Sequence, residues 1–342
     1  MDLLKKKKID QIIFENKINK KFLTKEILQN LNNFNIIQLN KISFINHLNL
    51  IFKIIPNIFL ILKVFKNLNK KSLLLQSNDW IFAQYLHGTW DLINLNKNRS
   101  LNAGFILKVK SILYGIFKLE LSKKIICMNT KYAFLDHSVY ANRWLLANLR
   151  NNNVKVYNQA VTNIHLQKKN KDISWSDVDS KIINQISKNK KKINTYWHKR
   201  INSKGNYLAS NVSSNLHNKK EKKVLSRNGF NLVLLHVFKD SPFNVIDRNR
   251  IFVDYFDWIE NTLKIIENSK ELWVFKMHPI SSRWGENQRE ILNIMLRQIL
   301  KKKLNNLYIL GNSNKNDLLL KAKKILTFSG TAALEAIVYK KK

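Results

Sequence analysis

Two short motifs in the last quarter of the sequence carry side chains suited to chemistry. In the first, His278 stands directly before Pro279 and two residues after Lys276. Because proline fixes its own backbone and disfavours helix in the preceding residue, we expect the imidazole to be held near the tip of a strand. A run of polar side chains follows, consisting of Ser281, Ser282 and Arg283.

The second motif is a small-residue turn, Ser329-Gly330-Thr331, that opens directly into a predicted helix. Free amides at a helix start, two hydroxyls and a glycine that permits close approach together suit an anion such as a diphosphate. Glu335 lies one turn inside that helix, where it could accept a hydrogen bond from a sugar hydroxyl. Alone, the first motif could be an ordinary loop and the second only a helix N-cap.

The elements around both motifs alternate between strand and helix. Near-continuous apolar runs predict buried parallel strands, and apolar residues at helical spacing predict amphipathic helices. Such alternation predicts a parallel, doubly wound α/β sheet whose ligands bind beyond the carboxyl ends of the strands. The predicted strands are residues 231–238, 272–276, 307–310 and 325–328, and the predicted helices are residues 252–268, 287–300, 317–322 and 331–339.

The middle of the chain predicts one earlier strand, helix and strand, at residues 124–129, 138–149 and 154–157. Asn- and Lys-rich patches after it are typical of solvated loops or domain seams. We therefore expect three regions: a basic helical region at 1–70, a Rossmann-like domain at 71–225 and a second such domain at 226–342.

The charge is unusually basic, with 60 Lys and Arg against 23 Asp and Glu and a net charge of +37. This would favour a polyanion or membrane partner. We give it less weight because lysine, asparagine and isoleucine share A/T-rich codons and the lysines are spread along the chain. The one cysteine, Cys127, cannot form an internal disulfide, and no secretion signal is recognisable, so we expect a cytoplasmic protein.

An apolar run at residues 50–65 is interrupted by Lys53, Pro56 and Lys63. It is too short to span a bilayer, which takes about 20 largely apolar residues. It could be a core helix kinked at Pro56. Alternatively, with its lysines, it could lie on the cytoplasmic face of a membrane as a peripheral anchor.

The sequence resembles bacterial capsule polysaccharide biosynthesis glycosyltransferases. The similarity covers roughly residues 229–342 and is carried by WVFKMHP at 273–279 and TFSGTAALEA at 327–336, with LHVFKD at 235–240 and VDYFDWI at 253–259 before them. It implies a GT-B fold, in which two Rossmann-like domains face a cleft and the C-terminal one binds a nucleotide-sugar donor. The family pattern continues beyond Glu-Ala with a further turn, strand and helix, so we expect an incomplete C-terminal domain.

The resemblance also implies a reaction, the transfer of a sugar from the nucleotide to a growing glycan or glycolipid. His278 and the amides near Ser329 and Thr331 would stabilise the departing phosphate. A carboxylate, Asp136 or Asp240, would deprotonate the acceptor hydroxyl. Lys276 and Arg283 would neutralise phosphate or a sugar carboxylate, which suits a CMP-linked acidic sugar. The donor-binding set is completed by Pro279, Ser281, Ser282, Gly330 and Glu335.

Asp136 could instead be a helix N-cap, and Asp240 a turn residue. No metal or cofactor is expected, because no cluster of His, Cys and carboxylate residues at ligand spacing is recognisable in the sequence. His236 is expected to be structural, whereas Trp284 could stack on a sugar or base.

Three alternatives remain from the sequence. A polyol-phosphate transferase of the teichoic-acid type has a similar His-Pro loop, but usually has Asp-Tyr-Ser-Ser where this chain has residues 327–330. A nucleotide-sugar 2-epimerase shares the Ser-Gly and Glu-Ala features. A membrane-surface or polyanion-binding module without chemistry is favoured only by the net charge.

Overall fold

A computed structural model describes residues 11–14, 35–38, 54–70, 79–96, 103–135, 139–160, 163–166, 195, 223–224, 226, 229–242, 251–300, 304–311, 315–328 and 336. The first two strands, β1 (Gln11–Phe14) and β2 (Asn35–Gln38), pair in parallel. A 3-10 turn at Ile55–Asn57 leads into helix α1 (Ile58–Asn67). Among the described residues, no helix has both the length and the apolar character needed to cross a bilayer.

The next two helices are long. Helix α2 covers Trp80–Asn96 and helix α3 covers Phe105–Cys127. The strand predicted at residues 124–129 is therefore wrong, because most of this run forms the last turn of α3. Ile125 and Ile126 pack there against a buried apolar cluster, and this packing overrides their preference for strands.

The helix and the second strand predicted for the middle of the chain are present, and a later segment, outside the predicted range, forms the first strand. They are β3 (Tyr132–Leu135), α4 (Asn142–Asn151) and β4 (Lys155–Ala160), and β3 and β4 are parallel. Strand β5 (Asn163–Leu166) then pairs with β4 in the antiparallel sense. The helix begins later than predicted, after Tyr140, whose positive φ of 55° is incompatible with a right-handed helix.

Helices α2, α3 and α4 pack around the fully buried indole of Trp144. Its ring stacks on Tyr85 at 4.4 Å, and its Nε1 donates to the Thr89 hydroxyl at 3.2 Å. Gly88 and Gly115 permit this approach, because a Cβ at either position would overlap residues of the α4 region. The indole thus fixes the arrangement of the three helices.

The C-terminal elements alternate as predicted. They are β6 (Phe230–Leu234), α5 (Tyr255–Glu267), β7 (Trp273–Lys276), α6 (Gln288–Ile299), β8 (Leu307–Leu310), α7 (Lys315–Lys321) and β9 (Ala322–Thr327). Strand β6 is shorter than the predicted 231–238, because the chain leaves the sheet after Leu234. The predicted helix at residues 331–339 lies outside the described residues except for Ala336.

The strands β6 to β9 form one parallel sheet in the order β8-β7-β6-β9. Its two faces are both covered. Val233 and Phe275 pack towards α5 and α6, whereas Leu232 and Val274 share a cluster with residues of α7. The predicted α/β class and the doubly wound parallel sheet are therefore confirmed for this part of the chain.

Candidate functional site

The site begins at the strand order of the C-terminal sheet. From β6 the chain moves to β7 and β8 on one side, and it then returns to place β9 on the other side. Parallel sheets bind ligands outside the carboxyl ends of the strands where the order reverses in this way. The loops that follow β6, β7 and β9 therefore surround the position where a ligand is expected.

The register places the strand residues that lead into the two sequence motifs at the same level of this edge. Leu234, the last residue of β6, pairs with Lys276 on one side and with Thr327 on the other. The His-Pro motif continues from Lys276 and the Ser-Gly-Thr motif continues from Thr327. The residues that lead into the two motifs, Lys276 and Thr327, thus lie on either side of the end of β6.

The loop after β6 contributes His236 and Asp240. The His236 ring stacks on Tyr255 at 4.6 Å and nearly parallel, and its Nδ1 lies 3.4 Å from the carbonyl oxygen of Val237 and 3.9 Å from Asp240 Oδ2. Burial lowers the pKa of His236, and the carboxylate of Asp240 opposes this. Since Nδ1 faces two acceptors, we assign the proton to Nδ1, which leaves a lone pair on Nε2.

The loop after β7 holds His278 in the opposite tautomer. The Ile280 amide lies 3.4 Å from His278 Nδ1 and points its N–H at it, so this nitrogen accepts and Nε2 carries the proton. Burial lowers the pKa of His278 to about 4, with further contributions from His236 and Lys276. The two imidazole rings lie 5.6 Å apart. At neutral pH the site therefore offers one neutral N–H donor and one neutral acceptor close together.

Lys276 is buried, whereas Arg283 is exposed to solvent. The Lys276 ammonium is buried and donates to the carbonyl oxygens of Gly311, at 2.7 Å, and Met277, at 3.2 Å. It therefore ties the loops after β7 and β8 together. Arg283 is exposed on a 3-10 turn, Ser281–Trp284, where Ser282 is also exposed. The buried Ser281 instead donates its hydroxyl to the carbonyl oxygen of His278.

Two buried side chains that the sequence analysis did not single out support the histidine loops. Gln288 accepts the His278 N–H at 2.8 Å and donates to the His236 carbonyl at 2.8 Å. It also donates to Glu286, which accepts the N–H of Lys239 at 2.5 Å. Burial raises the pKa of Glu286. The sequence signal was available, because both polar residues adjoin the start of a predicted amphipathic helix.

Helices α2 and α4 also reach the site. The Tyr140 hydroxyl lies 3.4 Å from Asp240 Oδ1, to which it donates, and burial, reinforced by Asp240, raises the pKa of this tyrosine. Asp91 of α2 is completely buried and accepts from Arg143 Nε at 3.1 Å and from the Ser241 hydroxyl at 2.6 Å. Burial raises the pKa of Asp91, and Arg143 opposes this.

The sequence analysis missed a row of buried polar side chains along α2. Four buried polar residues recur there at intervals of three and four in an otherwise largely apolar helix, and that spacing was the available signal. They are Gln84, His87, Asp91 and Asn94.

The structure thus brings Lys276, His278, Pro279, Ser281 and Asp240 into neighbouring loops. Ser282 and Arg283 lie exposed on the turn after His278, and the remaining predicted site residues lie outside the described residues, although the last residue of β3 directly precedes Asp136. Phe328, which directly precedes the Ser-Gly-Thr motif, packs its ring against Tyr255 at 4.7 Å. The undescribed set comprises Asp136, Ser329, Gly330, Thr331 and Glu335.

The part of the chain that the structure describes contains no evident metal site. No three His, Cys, Asp or Glu side chains cluster there closely enough to hold an ion. Metal-independent chemistry remains a prediction from the sequence.

Comparison with known proteins leaves the family open. No protein-family model matches the sequence, and no curated protein matches it either. Among solved structures, the UDP-GlcNAc 2-epimerase of Methanocaldococcus jannaschii, in complex with UDP-GlcNAc and UDP, aligns over 97% of this chain and 82% of its own. The sequence identity is 14% and the TM-score is 0.28, which is too low to support a conclusion about function.

Proposed function

We propose that this chain is a glycosyltransferase that moves a sugar from a nucleotide-activated donor to a glycan or glycolipid. The observation that carries the proposal is the register at Leu234, which lies between Lys276 and Thr327. Lys276 leads into the His-Pro motif and Thr327 leads into the Ser-Gly-Thr motif, and both strand ends lie at the switch point where parallel sheets bind ligands. The motif resemblance to capsule polysaccharide glycosyltransferases supplies the reaction.

His278 acts on the leaving group in this proposal. Its Nε2–H is a neutral donor, held in place by Gln288 and by the Ile280 amide. As the bond from the sugar to the nucleotide breaks, its electron pair remains on a phosphate oxygen. A hydrogen-bond donor held in this position stabilises the developing negative charge more than it stabilises the intact nucleotide-sugar.

Asp240 and His236 act on the acceptor. The acceptor hydroxyl gives its proton to His236 Nε2 while its oxygen attacks the sugar carbon. Asp240 already accepts from the Ser241 amide at 2.8 Å and lies 3.9 Å from His236 Nδ1. It therefore acts as a positioning carboxylate, which fixes the tautomer and stabilises the imidazolium. Asp136 remains the alternative base.

The domain organisation follows the same proposal. Residues 226–342 form the donor domain and residues 71–225 form an acceptor domain in a GT-B arrangement, after a basic helical region at 1–70. The largely separate apolar clusters of α2 to α4 and of the C-terminal sheet support the boundary near residue 226, although Val253 joins the first cluster. Val64 and Leu68 pack in that first cluster too, so the boundary near residue 70 rests on the sequence alone. The acceptor, the acidic sugar and the cytoplasmic location are all part of the proposal.

The test is nucleotide binding followed by product analysis. Thermal stability is measured with CMP, CDP, UDP, GDP and ADP, since a ligand at 100 times its dissociation constant adds about 2.7 kcal/mol. We expect a shift with one nucleotide that His278→Ala removes and the exposed control Arg297→Ala retains. An unchanged shift in His278→Ala would remove the donor-site assignment.

Product analysis then distinguishes the three kinds of enzyme to which such a site could belong. A glycosyltransferase releases free nucleotide only when an acceptor is glycosylated. A 2-epimerase changes the sugar without an acceptor, and a polyol-phosphate transferase moves phosphate together with its polyol. Only the first result agrees with the proposal.

A further inference from the structure

The outward side of α1 is apolar. Four large side chains recur at the spacing of one helical face across the 3-10 turn and α1, and all are solvent-exposed. Their exposed fractions are 66% for Ile55, 39% for Ile58, 83% for Phe59 and 57% for Leu62. The opposite side is buried through Val64 and Leu68. The helix thus presents apolar residues in both directions, and within the part of the chain that the structure describes only one side packs against a protein core.

The start of α3 adds to this surface. Phe105 and Ile106 are 68% and 69% exposed. The Phe105 ring meets Phe65 of α1 edge-on at 5.5 Å, and Lys108 Nζ donates to Asn69 Oδ1 at 2.7 Å. The first turn of α3 is therefore fixed beside the end of α1. The outer apolar surface comprises Ile55, Ile58, Phe59, Leu62, Phe105 and Ile106.

In the sequence around α1, all the charged residues are basic. Residues 27–78 contain six lysines and no Asp or Glu. Among the described ones, Lys63, Lys66 and Lys70 are exposed. The carboxylate of Glu120 approaches α1 at Asn57, but it is paired with Lys123. An occupant of the outer apolar surface must therefore tolerate this positive charge or supply negative charge that neutralises it.

We propose that the outer apolar surface docks onto a membrane containing anionic phospholipids, with α1 lying in the plane of the interface. The apolar side chains enter the acyl boundary while the lysines meet the headgroups, as in interfacial helices. With ten residues, α1 is about 15 Å long against a hydrocarbon core of about 30 Å, so it lies on the bilayer. This inference does not depend on the proposed glycosyl transfer.

The charge argues against other occupants. A second copy docking through the same surface in a two-fold dimer would bring the lysines of both copies together. The segment at residues 27–53 is also free of acidic side chains, so it would bring more positive charge. A nucleic acid would satisfy the lysines but would leave Phe59 and Leu62 without an apolar partner.

Co-sedimentation with vesicles tests the proposal on the full chain. We expect binding to phosphatidylcholine vesicles containing about a third phosphatidylglycerol, weak binding to pure phosphatidylcholine, and release as salt is raised. Phe59→Ala should weaken binding about tenfold, since it removes a large apolar side chain from the interface. Ile265→Ala is the matched control, because Ile265 is an equally apolar side chain, 61% exposed on α5.

Two outcomes would overturn the proposal. One is equal binding by Phe59→Ala and the wild-type chain, which would leave only diffuse attraction by the lysines. The other is the absence of vesicle binding together with a concentration-dependent dimer that Phe59→Ala dissociates, which would assign the surface to a second copy. Because Phe59 is mostly exposed, its truncation should leave the melting temperature unchanged, and melting curves verify that the variant is folded.

Discussion

Ser241 donates its hydroxyl to the buried carboxylate of Asp91, 150 residues earlier in the chain, at 2.6 Å. The serine belongs to the loop after β6, and the aspartate belongs to α2. Trp90, the neighbour of Asp91, donates its Nε1 to Asp254 at 3.1 Å, and Asp254 caps α5. The helices of the first half are thus connected to the loops that carry the candidate site.

Asp91→Asn should destabilise the protein strongly. Its carboxylate forms an ion pair with the buried Arg143, and removing one partner of a buried pair costs about 3 to 5 kcal/mol. Urea unfolding measures the change in the free energy of unfolding. The control is Glu260→Gln, which breaks a partly exposed pair with Lys264 and should cost less than about 0.5 kcal/mol. Equal effects of the two substitutions would contradict the role assigned to Asp91.

Gly115→Ala should also destabilise the protein, for a steric reason. A Cβ there would overlap the Trp144 indole, which is fully buried and cannot move aside. Overpacking of this kind costs about 1 to 3 kcal/mol, more than alanine gains as a helix former. Gly104→Ala is the steric control, because a Cβ there meets nothing within 4 Å and only the loss of a glycine N-cap should lower its stability. Thermal melting of the two variants should differ clearly, and similar melting temperatures would contradict the packing described.

The C-terminal sheet was predictable because its local signals agree with one another. Buried parallel strands give continuous apolar runs such as residues 231–234, and Tyr255, Ile259 and Leu263 mark the buried face of a helix. The alternation did not reveal the strand order, since it does not say on which side of β6 the last strand returns. The register at Leu234 therefore had to come from the structure.

The support of the site was less predictable, because its partners are distant in sequence. Asp91 meets Arg143 and Ser241, which lie 52 and 150 residues away, and nothing in the sequence pairs them. The strand predicted at residues 124–129 failed for a related reason. Its branched side chains suit a strand locally, yet packing against α4 extends α3 through them.

Gln288→Ala should abolish nucleotide binding while the protein remains folded. The side chain holds the His278 N–H and the His236 carbonyl, so its loss releases both histidine loops. The unsatisfied groups should cost about 1 to 3 kcal/mol of stability. We expect the nucleotide-dependent thermal shift to disappear while the fold persists in circular dichroism. Gln298→Ala, which truncates an exposed glutamine of the same helix, should keep the full shift.

Asp240→Asn should lower turnover while leaving nucleotide binding largely intact. The amide can still accept from the Ser241 N–H, but it no longer supplies the negative charge beside His236 Nδ1. Glycosyl transfer should fall by about 100-fold or more, as expected when general-base catalysis is lost. The thermal shift with nucleotide monitors binding. Loss of that shift with unchanged turnover per bound donor would instead make Asp240 a donor-binding residue.

The stability of the protein should fall as the pH drops below 6.5. Burial lowers the pKa of His278 from 6.5 to about 4, so the unfolded chain takes up its proton at a higher pH than the native protein does. The contribution of His278 to stability is therefore fully present above pH 6.5 and declines down to about pH 4, by at most about 3.5 kcal/mol at about 1.4 kcal/mol per pH unit. Unfolding in urea between these pH values measures the slope. His278→Gln should reduce the slope without abolishing it, because burial lowers the pKa of His236 as well. An unchanged slope in this variant would mean that His278 titrates normally, and the neutral donor assigned to it would then be wrong.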